Sequence, residues 1–170
     1  MRIFARKIKP PRMPWWTADT IKAVEGILGG FMNVFEWGSG SSTVWLAARV
    51  KRVYSVEHDK VWKPKIRKWA RREKARGKIS LVTTALDSDR YCDHILRFKK
   101  NFDFIVIDGR NRVECFKRAV RKVAPGGYIM VDDTERPRYR PIYDFKEVGV
   151  FKEIEPDSSG KKATIFRRLF

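Results

Sequence analysis

The residues that could do chemistry in this sequence are one glycine turn and a set of acids, and each follows an apolar segment. The turn is Gly38-Ser39-Gly40, and the acids are Glu57, Asp108, Asp132 and Asp133. If the apolar segments are parallel strands, these residues meet at the sheet edge where ligands bind. Glycines let a ligand approach the backbone closely, and carboxylates can accept hydrogen bonds, remove a proton or hold a hard cation. The pattern predicts a ligand-binding site in which carboxylates carry out the chemistry.

The glycine turn joins an apolar strand to a helix. Residues 33–45 read NVFEWGSGSSTVW, and the small hydroxyl residues after the turn can cap the helix that follows. Such a helix N-terminus faces a ligand in parallel α/β units. The third glycine of a dinucleotide fingerprint is absent, because Thr43 stands in its place. By itself, the turn fits a nucleotide-type pocket or a plain strand–helix connection.

Glu57 favours the first of these interpretations. It ends the second predicted strand, RVYSVEHD, and lies 17 residues after Gly40. In a doubly wound sheet, an acid at this place binds ribose hydroxyls. Alternatively, Glu57 is only a surface acid at a strand end. The combination of Glu57 with the glycine turn favours the ribose site.

Strands and helices alternate along the chain, which predicts a parallel α/β domain. The predicted strands are 34–37, 52–59, 78–82, 102–109 and 128–133, with a closing hairpin of 149–155 and 162–168. The predicted helices include 18–28, 60–78, 110–123 and a short one at 139–146. The division is one domain at 15–170, preceded by a basic, proline-containing arm at 1–14.

Composition limits the class of protein. The chain has 170 residues, of which 43% are apolar, so one domain with a substantial core is expected. There is no apolar run long enough for a bilayer span, and the basic N-terminus lacks the apolar core of a secretory signal. Cys92 and Cys115 form no C-x-x-C motif, which favours reduced thiols. We therefore predict a cytoplasmic protein.

The formal net charge of +18 predicts attraction to polyanions. Nucleic acid, an acidic protein surface and anionic lipid are all candidate partners. Alternatively, the high positive charge is a general property of the source organism's proteins and indicates no partner. The densest basic segment is the helix 60–78. We expect its Trp62, Ile66, Trp69 and Ala70 to face the core and its Lys/Arg face to be the best candidate for a polyanion patch.

Several segments together resemble the class I S-adenosylmethionine-dependent methyltransferases. They are FEWGSGSST (35–43), SVEHD (55–59), FDFIVIDG (102–109), APGGYIMVDD (124–133) and the closing hairpin. The resemblance runs from Trp15 to the C-terminus. With PWWT, IDGRNR, DDTERPRY and ATIFRR, it is most similar to a bacterial and archaeal subgroup of small methyltransferases. It implies an α/β, Rossmann-like, doubly wound, mostly parallel sheet of seven strands in the order 3-2-1-4-5-7-6, with the seventh antiparallel.

The resemblance implies S-adenosylmethionine (SAM) as cofactor. Glu57 would accept both ribose hydroxyls, His58 would pack beside adenine, and the glycine turn would surround the methionine and ribose part. Ala85-Leu86 stands where the family often has an acid for the adenine amino group, with Asp87 and Asp89 slightly later. The implied cofactor set is Glu36, Gly38, Ser39, Gly40, Ser42, Thr43, Glu57, His58, Ala85, Leu86 and Asp108.

Methyl transfer to oxygen also needs a base or a metal to remove the acceptor's proton. Asp108, Asp132 and Asp133 are the candidates, and Arg110 and Arg112 are candidate binders of an anionic substrate. The three acids resemble the divalent-ion site of catechol-type O-methyltransferases, which implies Mg²⁺. Alternatively, Asp108 only binds the methionine amino group and the other two cap a loop. An Asn/Asp-Pro-Pro-aromatic motif is absent, which disfavours N6-adenine methylation.

Three functions remain open at this stage. The first is an O-methyltransferase that acts on a small molecule or a glycan end. The second is a methyltransferase on RNA or protein, recruited by the basic surface, and the third is a non-catalytic cofactor-binding protein. The chain has almost no insertion for a substrate lid. The active site is therefore expected to be open to a large substrate, or to be closed by the second subunit of a homodimer.

Overall fold

The computed structural model describes residues 13–86, 88–145, 151–154 and 160–170. Most of the predicted basic arm, Asp87, the end of the predicted helix 139–146 and the turn of the closing hairpin lie outside these ranges. No helix among the described residues is long and apolar enough to cross a bilayer.

The described residues form one seven-stranded sheet in the order β3-β2-β1-β4-β5-β7-β6, as the sequence predicted. Strands β1 to β5 are mutually parallel, and β7 is antiparallel to both of its neighbours. The order in which successive strands are added reverses between β1 and β4, and doubly wound sheets bind ligands at such a point. The strands are β1 Asn33–Trp37, β2 Arg52–Glu57, β3 Ile79–Thr83, β4 Phe102–Ile107, β5 Val123–Asp132, β6 Phe151–Ile154 and β7 Ala163–Arg168.

The helices connect the strands and cover both faces of the sheet. They are α1 Ala18–Ile27, α2 Ser41–Arg49, α3 Trp62–Arg72, α4 Ser88–Tyr91 and α5 Arg112–Val120, with 3₁₀ segments at Arg76–Lys78, Cys92–Arg97 and Pro137–Ile142. Thr17 caps α1, because its hydroxyl accepts a hydrogen bond from the Thr20 amide at 3.2 Å. The predicted helix 60–78 is shorter than expected, and the predicted helix 139–146 is a 3₁₀ segment that starts earlier.

The core lies on both faces of the sheet. Alternate residues of a strand point to opposite faces, so β1 buries Phe35 and Trp37 on one face and Val34 on the other. Strand β4 is buried almost throughout, as expected for a central parallel strand. Burial of each large apolar side chain stabilises the fold by ~1.5–3 kcal/mol. The strand ends that carry the functional residues are thereby fixed.

The loops after β1 and β4 touch at Gly38 and Gly109. Gly38 has φ 91°, and a Cβ atom there would lie 2.6 Å from the Gly109 nitrogen. A Cβ atom on Gly109 would lie 2.0 Å from the Tyr91 hydroxyl. The Asp108 amide also donates to the Trp37 carbonyl at 2.9 Å. Only glycines allow this contact, which holds the glycine turn beside Asp108.

Candidate active site

A cleft of about 360 Å³ opens at the C-terminal edge of the sheet, above the contact between the β1 and β4 loops. It brings together most of the residues predicted from the sequence. Those that line it are Gly38, Ser39, Gly40, Ser42, Glu57, His58, Asp108, Arg110 and Arg112.

Glu57 ties the end of β2 to the glycine turn. Its side chain is almost fully buried, and Oε2 accepts a hydrogen bond from the Ser39 amide at 2.7 Å. Oε1 accepts from the amides of His58 and Asp59 at 2.8 and 2.9 Å. A carboxylate has about four acceptor positions, so Glu57 can still accept hydrogen bonds from a ligand in the cleft.

His58 carries an unsatisfied polar atom at the cleft. Its Nδ1 lies 2.8 Å from Glu57 Oε1, but it is buried and forms no hydrogen bond with any described residue. Buried polar atoms without partners in a native structure point to a ligand or water. The position beside Glu57 fits the polar edge of a nucleoside, so the residues present are compatible with SAM.

Glu36 lies beneath the glycine turn and does not line the cleft. Its carboxylate is fully buried and accepts hydrogen bonds from the hydroxyls of Ser42, Thr43 and Ser55 at 2.6, 2.5 and 2.6 Å. Burial raises the pKa of Glu36 to about 7, although the three hydroxyls oppose this rise. Thr43 Oγ1 also accepts from the Gly40 amide at 2.9 Å. Glu36 and Thr43 thus support the turn, and their direct contact with the cofactor stays a prediction.

The loop after β3 lies away from the lining of the cleft. Ala85 and Leu86 are exposed, while the preceding Thr84 amide donates to the Glu57 carbonyl at 2.9 Å. The predicted contact of Ala85 and Leu86 with adenine stays a prediction, and Asp87 is outside the described residues.

Of the three predicted aspartates, Asp108 lines the cleft, whereas the buried Asp132 and Asp133 do not. Its Oδ2 accepts from Trp16 Nε1 at 3.0 Å, and its Oδ1 accepts from Arg112 Nη2 at 3.1 Å. Burial raises the pKa of Asp108, while Arg112, Trp16 and a hydrogen bond with Asp132 act in the opposite direction. The pKa of Asp132 is raised to about 7 by burial and by the charges of Asp108 and Asp133. Coupled acids of this kind titrate as a pair.

Arg112 lies at the centre of the acid cluster. Its Nη1 is 3.2 Å from Asp133 Oδ2 and 4.0 Å from Asp132 Oδ2, and it donates to the Asp132 carbonyl. Lys161 Nζ lies 3.7 Å from both Asp132 Oδ2 and Asp133 Oδ1, and Arg136 Nη2 lies 2.9 Å from Asp133 Oδ2. The side chain of Arg112 is 7% exposed. It is therefore bound to the protein's own acids, unlike the substrate-binding role predicted from the sequence.

The acid cluster does not fit the Mg²⁺ site that the sequence suggested. Asp108, Asp132 and Asp133 meet the three cationic side chains of Arg112, Arg136 and Lys161. A divalent ion would have to displace the buried guanidinium from the same oxygens. Among the described residues, no group of three histidine, cysteine or acidic side chains is placed to hold a metal.

The other wall of the cleft comes from residues that were not predicted from the sequence to belong to the site. They are Trp15, Trp62, Arg136, Arg138 and Tyr139. Trp15 and Trp62 make an edge-to-face contact with 5.9 Å between ring centroids. The last three belong to the charged loop after β5, and the position of that loop at the end of a parallel strand was the signal for a role in the site.

Helix α3 has the two faces that the sequence predicted, with one exception. Ile66, Trp69 and Ala70 are buried. Trp62 is only half-buried and lines the cleft. The outer face is exposed and basic, with Lys65, Arg67, Lys68, Arg71 and Arg72.

Comparison with known proteins agrees with this site. A family model described as a methyltransferase domain matches residues 35–134, which is more than half of the chain. Among curated proteins, no sequence match was found.

Solved structures share the fold. An O-methyltransferase from Bacillus cereus in complex with SAH is 27% identical, with a TM-score of 0.64 over 81% of this chain and 74% of that chain. The O-methyltransferase TomG from Streptomyces achromogenes in complex with SAM is 15% identical, with a TM-score of 0.65 over 83% and 74%. An rRNA methylase from Streptococcus thermophilus is 15% identical, with a TM-score of 0.66 over 91% and 98%.

These findings agree on the cofactor and the class of enzyme. Neighbouring structures contain SAM or SAH, and the cleft offers a glycine turn, the acceptor oxygens of Glu57 and an unsatisfied histidine nitrogen. The chain belongs to the methyltransferase-domain family and is a SAM-dependent methyltransferase with a Rossmann-like fold.

Proposed function

We propose that the protein transfers the methyl group of SAM to an oxygen atom of a small-molecule or glycan-type acceptor. The observation that carries this proposal is the position of Asp108, an acid that lines the cleft and is held there by hydrogen bonds from Trp16 and Arg112. Nitrogen and sulfur acceptors need a general base less than hydroxyl acceptors do. The 27% identity to an O-methyltransferase supports the same choice.

The residues of the chain divide into a binding set and a proton-accepting set. When bound, SAM supplies an electrophilic methyl group on its sulfonium. Glu57 presents two acceptor oxygens, which suits the two hydroxyls of a ribose. The Gly38–Gly40 turn lets the ligand approach the backbone, because no atom of the described residues beyond the chain neighbours lies within 4 Å of a Cβ position built on Gly40.

Asp108 would take the proton of the acceptor hydroxyl. Asp132, whose pKa is about 7, shares the charge of the pair near neutral pH. The guanidinium of Arg112 keeps the pair from becoming fully protonated, since a neighbouring cation favours the charged form of a carboxylate. Trp16 holds Asp108 in place through its indole N–H. The chain thus has a metal-independent route for the proton.

The direct test incubates the protein with methyl-labelled SAM and a panel of matched acceptors. The panel pairs hydroxylated aromatics and sugars with their amine counterparts, and mass spectrometry locates the added methyl group. We expect transfer to oxygen only. Methylation of the amines alone would contradict the proposal, and SAM binding without transfer to any member of a broad panel would favour a non-catalytic cofactor-binding protein.

RNA is a second candidate acceptor, and the basic face of α3 favours it. This face begins next to Trp62, which lines the cleft, so a polyanion bound there would reach the active site. If RNA is the acceptor, the logarithm of its affinity should fall steeply with the logarithm of salt concentration. Binding that is absent at ~0.1 M salt, or independent of salt, would remove this candidate.

A further inference from the structure

A second cleft of about 390 Å³ adjoins the cofactor cleft. The two clefts share Arg110, Arg112, Arg138 and Tyr139 in their walls. An acceptor that reaches Asp108 through the first cleft can therefore extend into the second. The properties of the shared wall determine what part of an acceptor would fit there.

Two of the three arginines in the shared wall have no acidic partner among the described residues. Arg112 is bound to Asp108 and Asp133, and the nearby Arg136 is bound to Asp133. Arg110 and Arg138 are exposed, and neither side chain has an acidic partner among the described residues. These two guanidinium groups are thus available to a ligand.

The acid in the second cleft does not cancel this charge. Glu114 is bound by Lys117 at 2.7 Å and by Arg118 of the same helix. Its charge is therefore already paired within the helix. Uncompensated charge in the second cleft comes from Arg110 and Arg138 alone, among the residues that the structure describes.

An aromatic wall accompanies the two arginines. Tyr139 is largely buried, and the guanidinium of Arg138 lies 4.9 Å from its ring centroid. Arg112 lies 5.1 Å from the same ring. Stacking on an aromatic ring orients a guanidinium without satisfying its N–H donors. Arg138 is thus held in place and keeps its donors for a planar or tetrahedral oxyanion.

We propose that the second cleft binds an anionic group of the methyl acceptor, a carboxylate or a phosphate, between Arg110 and Arg138. This inference rests on the proposed function, because it assumes that the hydroxyl group to be methylated lies at Asp108. Guanidinium groups bind both oxyanions through paired hydrogen bonds. The acceptor is then an acidic molecule with a hydroxyl group, and neutral analogues bind poorly.

The test measures binding to the full chain saturated with SAH, so that it does not depend on turnover. The probes are 3-hydroxybenzoate with 3-hydroxybenzamide as its neutral partner, and phenyl phosphate with phenol. Calorimetry should give preferential binding of one or both anions. In the double variant Arg110→Gln/Arg138→Gln, anion affinity should fall roughly tenfold or more, as expected for lost hydrogen bonds to charged groups.

Arg140→Gln is the matched control, because Arg140 is exposed on the same 3₁₀ segment as Arg138 but does not line either cleft. It should leave anion affinity unchanged. Equal binding of each anion and its neutral partner, equal loss in the control, or no binding of either anion would overturn the inference. Arginine-dependent binding without methylation of 3-hydroxybenzoate would support the oxyanion site and count against O-methyl transfer. Carboxylate and phosphate acceptors are told apart by which probe depends on the arginines.

Discussion

The guanidinium of Arg112 lies 3.1 Å from the carboxylate of Asp108, and it reaches Asp133 at 3.2 Å from the same position. A buried cation of the chain therefore occupies the middle of the acid cluster. In the methyltransferases that use a divalent ion at such acids, the ion is the local positive charge. Here a covalently attached side chain supplies that charge.

Metal chelation should leave the enzyme active. We expect kcat/KM in EDTA, and after addition of Mg²⁺, to stay within ~2-fold of the untreated value, because no step requires a bound Lewis acid. The measurement is methyl transfer to the best acceptor of the panel after exhaustive dialysis. A loss that Mg²⁺ restores would show that the acids can release Arg112 and bind an ion.

Arg112→Met should destabilise the fold by ~3–5 kcal/mol, because removal of one partner leaves buried acids without compensation. Urea unfolding at pH 8 measures the change. Arg121→Met is the matched control, since Arg121 is exposed at the end of α5, and we expect a change within ~0.5 kcal/mol. Similar losses in the two variants would mean that the cluster contributes no special stabilisation.

Asp108→Asn should lower kcat by ~10²–10⁴-fold, the usual contribution of a general base. SAM affinity should change little if Asp108 acts on the acceptor. If its role is to bind the methionine amino group, calorimetry will instead show weakened SAM binding. Asp19→Asn, at an exposed position of α1, controls for the loss of one negative charge, and thermal melting separates a folding defect from a catalytic one.

Glu57→Gln should weaken SAM binding by ~1.5–3 kcal/mol, because a charged acceptor of hydrogen bonds becomes a neutral amide. The exposed Glu73→Gln provides the control. Calorimetry with SAM on both variants is the measurement. Unchanged affinity in Glu57→Gln would place the ribose elsewhere.

The buried Glu36 should make stability depend on pH. Its pKa rises from 4.5 to about 7 on folding, so the folded state binds the proton more tightly. The resulting stabilisation is complete below pH 4.5 and is lost as pH rises to about 7, a total of about 3 kcal/mol. Comparison of urea unfolding of wild type and Glu36→Gln between pH 5 and 8 isolates this change. Parallel stability curves would show that Glu36 ionises normally.

Hydrophobic patterning and turn chemistry were enough to predict a parallel α/β sheet and the place of the glycine turn, because a strand's apolar residues and the glycines after it lie within a few positions of each other. The strand order was implied by the resemblance to the class I methyltransferases, and the structure confirms it. The residues Gly38, Glu57 and Asp108 followed, because parallel strands place their ends at one edge.

The electrostatic arrangement of the site could not be predicted in the same way. Trp16 and Asp108 are 92 positions apart and Arg112 and Asp132 are 20 apart, and the pairing depends on loop geometry that sequence periodicity does not encode. An arginine that follows an acidic residue at the end of a strand can be interpreted equally well as a substrate-binding residue or as a counter-ion for the protein's own acids. The partners of Glu36 could not be predicted either, because the three hydroxyls that enclose it come from two different elements.

The contact between Gly38 and Gly109 has a consequence for engineering. The cofactor turn and the loop that carries Asp108 are locked to each other by main-chain packing, so their relative position does not depend on side-chain rotamers. The loop with Arg136 and Arg138 lies after a different strand. Arg138, which has no acidic partner among the described residues, is therefore the position of that loop to substitute for a change in acceptor preference, because main-chain packing keeps the glycine turn beside Asp108.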